Sequence, residues 1–156
     1  MKRVLFVDDE PRILDGLRRM LFALCDEWEM EFVESGEAAV ELLSDEPFDV
    51  LVTDMRMPSG MDGAGLLRWA QQTCPDVVRI VLSGYADEQA SLRAVAVAHQ
   101  FLNKPCSATQ LRSVVERACT LRDMLAQPEL REGIGGLDGL PTLPRTYQQL
   151  TQMLSS

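Results

Sequence analysis

Four short runs in this chain, most of them apolar, each lead into a residue that carries chemistry. Residues 4–7 lead into Asp8-Asp9, 50–53 into Asp54, 77–82 into Ser83, and 100–103 into Lys104-Pro105. Continuous apolar runs of this length are the mark of strands covered on both faces. Segments with helical spacing lie between them. Pro11 leads into Ile13, Leu14, Leu17, Met20, Leu21 and Leu24, and a capping Ser35 into Ala38, Ala39, Leu42 and Leu43. Leu66, Leu67, Trp69 and Ala70 mark a third helix before Pro75, and residues 86–98 an Ala-rich fourth. Ser107 then caps a last helix striped by Leu111, Val114, Val115, Ala118, Leu121 and Leu125. Glu31-Phe32-Val33 reads as a weaker edge strand. Five strands and five helices in alternation predict an α/β fold, a parallel sheet with helices on both faces. All strands of such a sheet point one way, so the residues that follow them meet at one rim, where these folds place ligands.

Composition removes several function classes. A net charge of −9 and a pI near 4.6 leave no clustered Lys and Arg for a nucleic-acid backbone. The same acidity suits cation binding or plain solubility, and charge alone does not separate them. Cys25, Cys74, Cys106 and Cys119 form no CxxC pair and read as reduced thiols rather than a disulfide framework or zinc site. The apolar run after Met1-Lys2-Arg3 is too short for a signal-peptide core or membrane span, so a cytoplasmic location is expected.

Gathered at one rim, three carboxylates, a hydroxyl and a lysine would hold a hard divalent cation and a phosphoryl group. Magnesium takes six oxygens in octahedral geometry and uses few protein carboxylates. Asp9 and Asp54 are candidates for direct ligands, Asp8 for a ligand through water, and the backbone carbonyl of Arg56 for a third protein oxygen. Asp54, a lone acid after what should be the central strand, is the better nucleophile for an acyl phosphate. Lys104 can neutralise one phosphoryl oxygen and Ser83 can donate to another. Each piece also has an ordinary use. Acids favour helix N-termini, Ser83-Gly84 makes a turn, and Lys-Pro is a common surface dipeptide. It is their joint order along the chain that favours a site.

These residues resemble a known family. Residues 4–10, Thr53-Asp54-Met55-Arg56-Met57-Pro58 with Met61-Asp62-Gly63, Ser83-Gly84-Tyr85, and Phe101-Leu102-Asn103-Lys104-Pro105 are similar to the receiver domain of two-component response regulators over about residues 1–122. The resemblance implies a flavodoxin-like doubly wound sheet of order 2-1-3-4-5. It implies that Asp54 accepts a phosphoryl group from a sensor histidine kinase or phosphotransfer protein, with Asp8 and Asp9 serving Mg2+. Ser83 and Lys104 would bind the phosphoryl oxygens, Phe101 would be the switch aromatic, and Arg56 and Tyr85 would flank and modulate the site. Such a protein catalyses only its own phosphorylation and dephosphorylation. Partners implied are the kinase, a C-terminal output domain and a second copy in a homodimer. Ser59-Gly60 adds a residue to the usual loop between Pro58 and Met61.

Residues 123–156 are expected to form a helical connector and linker extension. The stretch from Leu140-Pro141 to Leu150 resembles the opening of an HDOD output domain, here truncated, with a tail carrying a chance Leu-Pro pattern as the alternative. Rival readings of the whole chain remain in view. A Mg-dependent phosphohydrolase would use Asp54 as nucleophile on an external substrate, but no DxD pair or evident general acid accompanies it. A nucleotide or flavin carrier would need a Gly-rich loop where the first strand instead meets acids. His99, the single histidine, is read as a surface or half-buried residue, and Trp28 and Trp69 as packing.

Overall fold

The computed structural model describes residues 1–55, 57, 60–83, 98, 100–103 and 107–125, with backbone alone at 83, 100, 101 and 103. Its elements run β1 (Lys2–Val7), α1 (Pro11–Met20), a 3-10 turn (Phe22–Leu24), β2 (Trp28–Val33), α2 (Gly36–Asp45), β3 (Val50–Asp54) and α3 (Gly63–Thr73). Then follow β4 (Val78–Ser83), β5 (Gln100–Asn103) and α4 (Ala108–Leu125). The five strands form one sheet of order β2-β1-β3-β4-β5, every neighbouring pair parallel. The expected sheet is therefore present. The expected Ala-rich helix over 86–98, apart from the buried Ala98, and the connector and output segment past Leu125 lie outside the described residues, as does His99.

Side-chain alternation sorts the strands into two cores. Val4, Phe6, Val50, Val52, Val78, Ile80 and Leu82 pack with Leu14 and Leu17 of α1 and the stripe of α4. On the opposite face Leu5, Val7, Leu51 and Val81 pack with Ala39 of α2 and Ala64, Leu66, Leu67 and Ala70 of α3. Both faces being dry explains why these strands read as unbroken apolar runs. The whole α4 stripe, through Leu121 and Leu125, is buried in this core, so its length is used up within the domain rather than kept for a partner.

Local chemistry sets the helix limits. Ser35 Oγ accepts from the Ala38 amide at 3.1 Å, the expected cap of α2. Ser107 Oγ accepts from Gln110 N at 3.1 Å while Gln110 Oε1 accepts from Ser107 N at 2.9 Å, a reciprocal capping box at α4. The apolar spacing after Pro11 predicts one helix to Leu24, but α1 stops at Met20 and a 3-10 turn carries Leu24 inward. Spacing of three serves a 3-10 turn as well as an α-helix, so the pattern does not distinguish them. The edge strand β2 also begins earlier than Glu31, at Trp28, which is buried in the core and pairs with Lys2.

Arg79 breaks the apolar pattern of β4. Fully buried, it donates from Nη1 to the Pro75 carbonyl at 3.3 Å, and burial pulls its pKa down to about 10. It remains charged at neutral pH, its stem lying among apolar neighbours.

Among the described residues, three free cysteines sample three environments: Cys25 exposed, Cys74 half-buried and Cys119 buried. Burial pushes the Cys119 thiol up to about 11. An unfolded thiol ionises near ~8.5, so this group favours the folded state fully below that pH and loses its contribution as pH rises toward the folded value. Iodoacetamide at pH 8 is expected to label Cys25 quickly and Cys119 only on unfolding, as read by peptide mass mapping. Equal labelling rates would contradict the packing of α4.

Candidate functional site

Parallel strands bring their C-terminal ends to one rim, and the central pair β1 and β3 supplies the acids. The Asp8 amide donates to the Val33 carbonyl of β2 at 3.2 Å, so β1 and β2 fix its backbone. Its Oδ1 accepts from the Glu10 amide at 3.0 Å, which turns the chain into α1. Asp54 is the last residue of β3 and pairs with Leu82 of β4. Asp8 and Asp54 are nearly buried, at 3% and 7% exposure, whereas Asp9 is half-buried and opens the group to solvent. One carboxylate oxygen from each of the three lies within 4.8 Å of one from each of the others. Three hard oxygen donors at this spacing, with one open side, fit a divalent cation that keeps water and ligand oxygens in its shell.

Of the other expected site residues, topology brings Ser83 to the same rim. Ser83 is the last residue of β4, opposite Asn103, the last of β5, and Phe101 pairs with Val81. Lys104 follows Asn103 in sequence, and Lys104, Arg56 and Tyr85 lie outside the described residues.

Sequence reasoning missed what shapes the loop after Asp54. Gly63, the first residue of α3, donates its amide to the Met55 carbonyl at 3.3 Å, and a Cβ there would run into the Asp54 carbonyl oxygen. Asp62 caps α3, its Oδ1 accepting from Gly65 N at 2.8 Å. Thr53 Oγ1 donates to the Asp54 carbonyl at 3.0 Å. Glu37 of α2 accepts the Met61 amide at 2.8 Å, which holds its carboxyl below the usual range. The only sequence signal for any of these was the glycine and acid of Met61-Asp62-Gly63, whose reason is a close backbone approach.

Comparison with known proteins agrees with this geometry. The response regulator receiver domain family matches residues 4–116, and the chain belongs to that family. It is 38% identical to the hydrogenase transcriptional regulatory protein HoxA of Cupriavidus necator over 117 residues, 74% of this chain and 23% of HoxA, so it spans about a quarter of that regulator. It is 31% identical to the response regulator receiver protein CpdR of Brucella abortus, covering 83% of this chain and 95% of CpdR. Among solved structures it resembles the response regulator protein TrrA of Thermotoga maritima in complex with Mg(2+)-BeF, with TM-score 0.66 and 27% identity over 76% of this chain and 99% of that one.

Two glycine substitutions are expected to have opposite signs. Gly63→Ala should destabilise by about 1–3 kcal/mol, because backbone must move to admit the methyl. Gly16→Ala in α1, where a Cβ meets nothing within 4 Å, should stabilise by about 0.5–1 kcal/mol through helix propensity. Urea denaturation of both variants checks the pair; a stabilised Gly63→Ala would contradict the close approach behind Asp54.

Proposed function

We propose that this domain is a phosphorylation-dependent switch in which Asp54 accepts a phosphoryl group from a sensor histidine kinase or phosphotransfer protein. The observation that carries the reading is the convergence of Asp8, Asp9 and Asp54 within 4.8 Å at the rim of β1 and β3. Family membership and the magnesium and beryllofluoride held by the Thermotoga relative support it.

In this reading an Asp54 oxygen attacks the phosphorus of the donor phosphohistidine. The new O–P bond forms as the N–P bond breaks, and the electron pair leaves with the imidazole. Asp9, Asp54 and the Arg56 carbonyl would hold Mg2+ directly, and Asp8 through water. Bound there, the cation would neutralise clustered acids and phosphoryl oxygens. Lys104 places a compact positive charge on one phosphoryl oxygen and Ser83 donates to another. Arg56 and Tyr85 flank the site and modulate the lifetime of the acyl phosphate.

Movement of Ser83 toward the phosphoryl group, with reorientation of Phe101, then shifts a two-state equilibrium. Moving such an equilibrium from 1:99 to 99:1 takes about 5.5 kcal/mol, within reach of several charge-assisted hydrogen bonds. The altered face around β5 and α4 would pass the signal to a C-terminal output domain, read as HDOD-like from residues 140–150, or to a second copy. The work is cytoplasmic signalling rather than turnover of a separate substrate. Among the described residues, no helix is long and apolar enough to cross a membrane.

Incubation with acetyl phosphate and Mg2+, followed by intact mass, is expected to add one phosphoryl group to the parent and none to Asp54→Ala. Lys104→Ala should slow the gain by roughly a hundredfold, and EDTA should abolish it. Uptake by Asp54→Ala equal to that of the parent would move the acceptor elsewhere.

A further inference from the structure

Two contacts hold the described residues between Asp54 and α3. One is Gly63 against Asp54 and Met55. The other reaches in from a different element. Glu37, in the first turn of α2, accepts the Met61 amide on Oε1 at 2.8 Å, across 24 residues of sequence.

The surroundings are shaped for this contact from both sides. Gly36 leaves room for Met61, since a Cβ on Gly36 would sit only 3.0 Å from Met61 Cβ. Gly60 has φ 91°, a conformation that favours glycine, and a Cβ there would collide with the Glu37 carboxylate. Two glycines, one in each partner segment, thus clear space for one carboxylate-to-amide hydrogen bond. An ordinary surface glutamate would have no such provision, and its contribution to stability would be small.

We propose that Glu37 is a positioning residue for the Asp54 site, latching Gly60-Met61 so that the adjoining Gly63 holds the backbone of Asp54 and Met55 in register for the cation and phosphoryl group. The proposal rests on the phosphoacceptor reading above and adds a residue of α2 to it. Met61 lies two residues before Gly63, whose amide donates to the Met55 carbonyl at 3.3 Å and whose α-carbon abuts the Asp54 carbonyl, so the contact reaches the acceptor through that backbone. Glu37 acts only through the backbone at Gly60-Met61 and touches no reacting atom.

The test compares the parent with Glu37→Gln, Glu37→Ala and Gly60→Ala. Three quantities are measured: the rate of acyl phosphate formation from acetyl phosphate, the magnesium dissociation constant by calorimetry, and thermal midpoint. Glu37→Ala is expected to slow phosphorylation and weaken magnesium binding by roughly tenfold, with little change in midpoint because the side chain is exposed. Glu37→Gln keeps an acceptor oxygen and should retain most of the parent's rate. Gly60→Ala should be slow in the parent background and add less than its own effect to Glu37→Ala, since both disturb one contact. Rates and magnesium affinities for Glu37→Ala within twofold of the parent would overturn the proposal. If the parent itself takes up no phosphoryl group, the acceptor reading fails. The latch then stands or falls on magnesium affinity and amide hydrogen exchange at Met61, with no change in Glu37→Ala counting against it.

Discussion

Three mutually repelling carboxylates are held within 4.8 Å of one another by the register of β1 and β3. Nothing about the acids themselves would gather them. The two apolar cores on either face of the sheet do so, by fixing where each strand ends. A domain arranged in this way holds its acids poised for positive charge, and the half-buried Asp9 leaves the approach open. The proposed cation binding and phosphoryl transfer would draw on that constraint rather than on any single reactive residue.

The strand that carries Asp54 at one end is gripped at its other end by the last helix. Asp49, just before β3, accepts the Arg3 amide on Oδ2 at 2.9 Å and pairs through Oδ1 with Arg122 of α4 at 3.1 Å. Arg122 also donates to the Asp49 carbonyl at 3.2 Å; burial works against its charge, and its neighbours, Asp49 and Asp123 among them, outweigh that and raise its pKa. The helix that leads toward the C-terminal segment is therefore joined to β3 by packing along its stripe and by charge at its end.

Much of this was legible in the sequence because strand ends and helix faces leave periodic traces. Asp8, Asp54, Ser83 and the β5 terminus were readable as positions at or just past the ends of apolar runs, and Ser35 and Ser107 as caps. What was not legible depended on contacts without a period. Glu37 meets Met61 across a loop, and Gly63 is needed because two backbones touch, so neither leaves a repeating signal. The early start of β2 was hidden by Glu29 and Glu31 alternating with buried or half-buried Trp28 and Met30 on an edge strand. Arg79 was hidden for the opposite reason, since one arginine inside an apolar run does not show that its head finds the Pro75 carbonyl.

The central claim is that Asp54 carries the phosphoryl group beside a cation held by its neighbouring acids. A crystal structure grown with Mg2+ and beryllofluoride tests it most directly. The account predicts beryllium bonded to an Asp54 carboxylate oxygen, Lys104 and Ser83 contacting the fluorines, and magnesium at about 2.0–2.1 Å from Asp9, Asp54 and the Arg56 carbonyl. Beryllofluoride bound at another residue, or a cation bound away from the three aspartates, would contradict it.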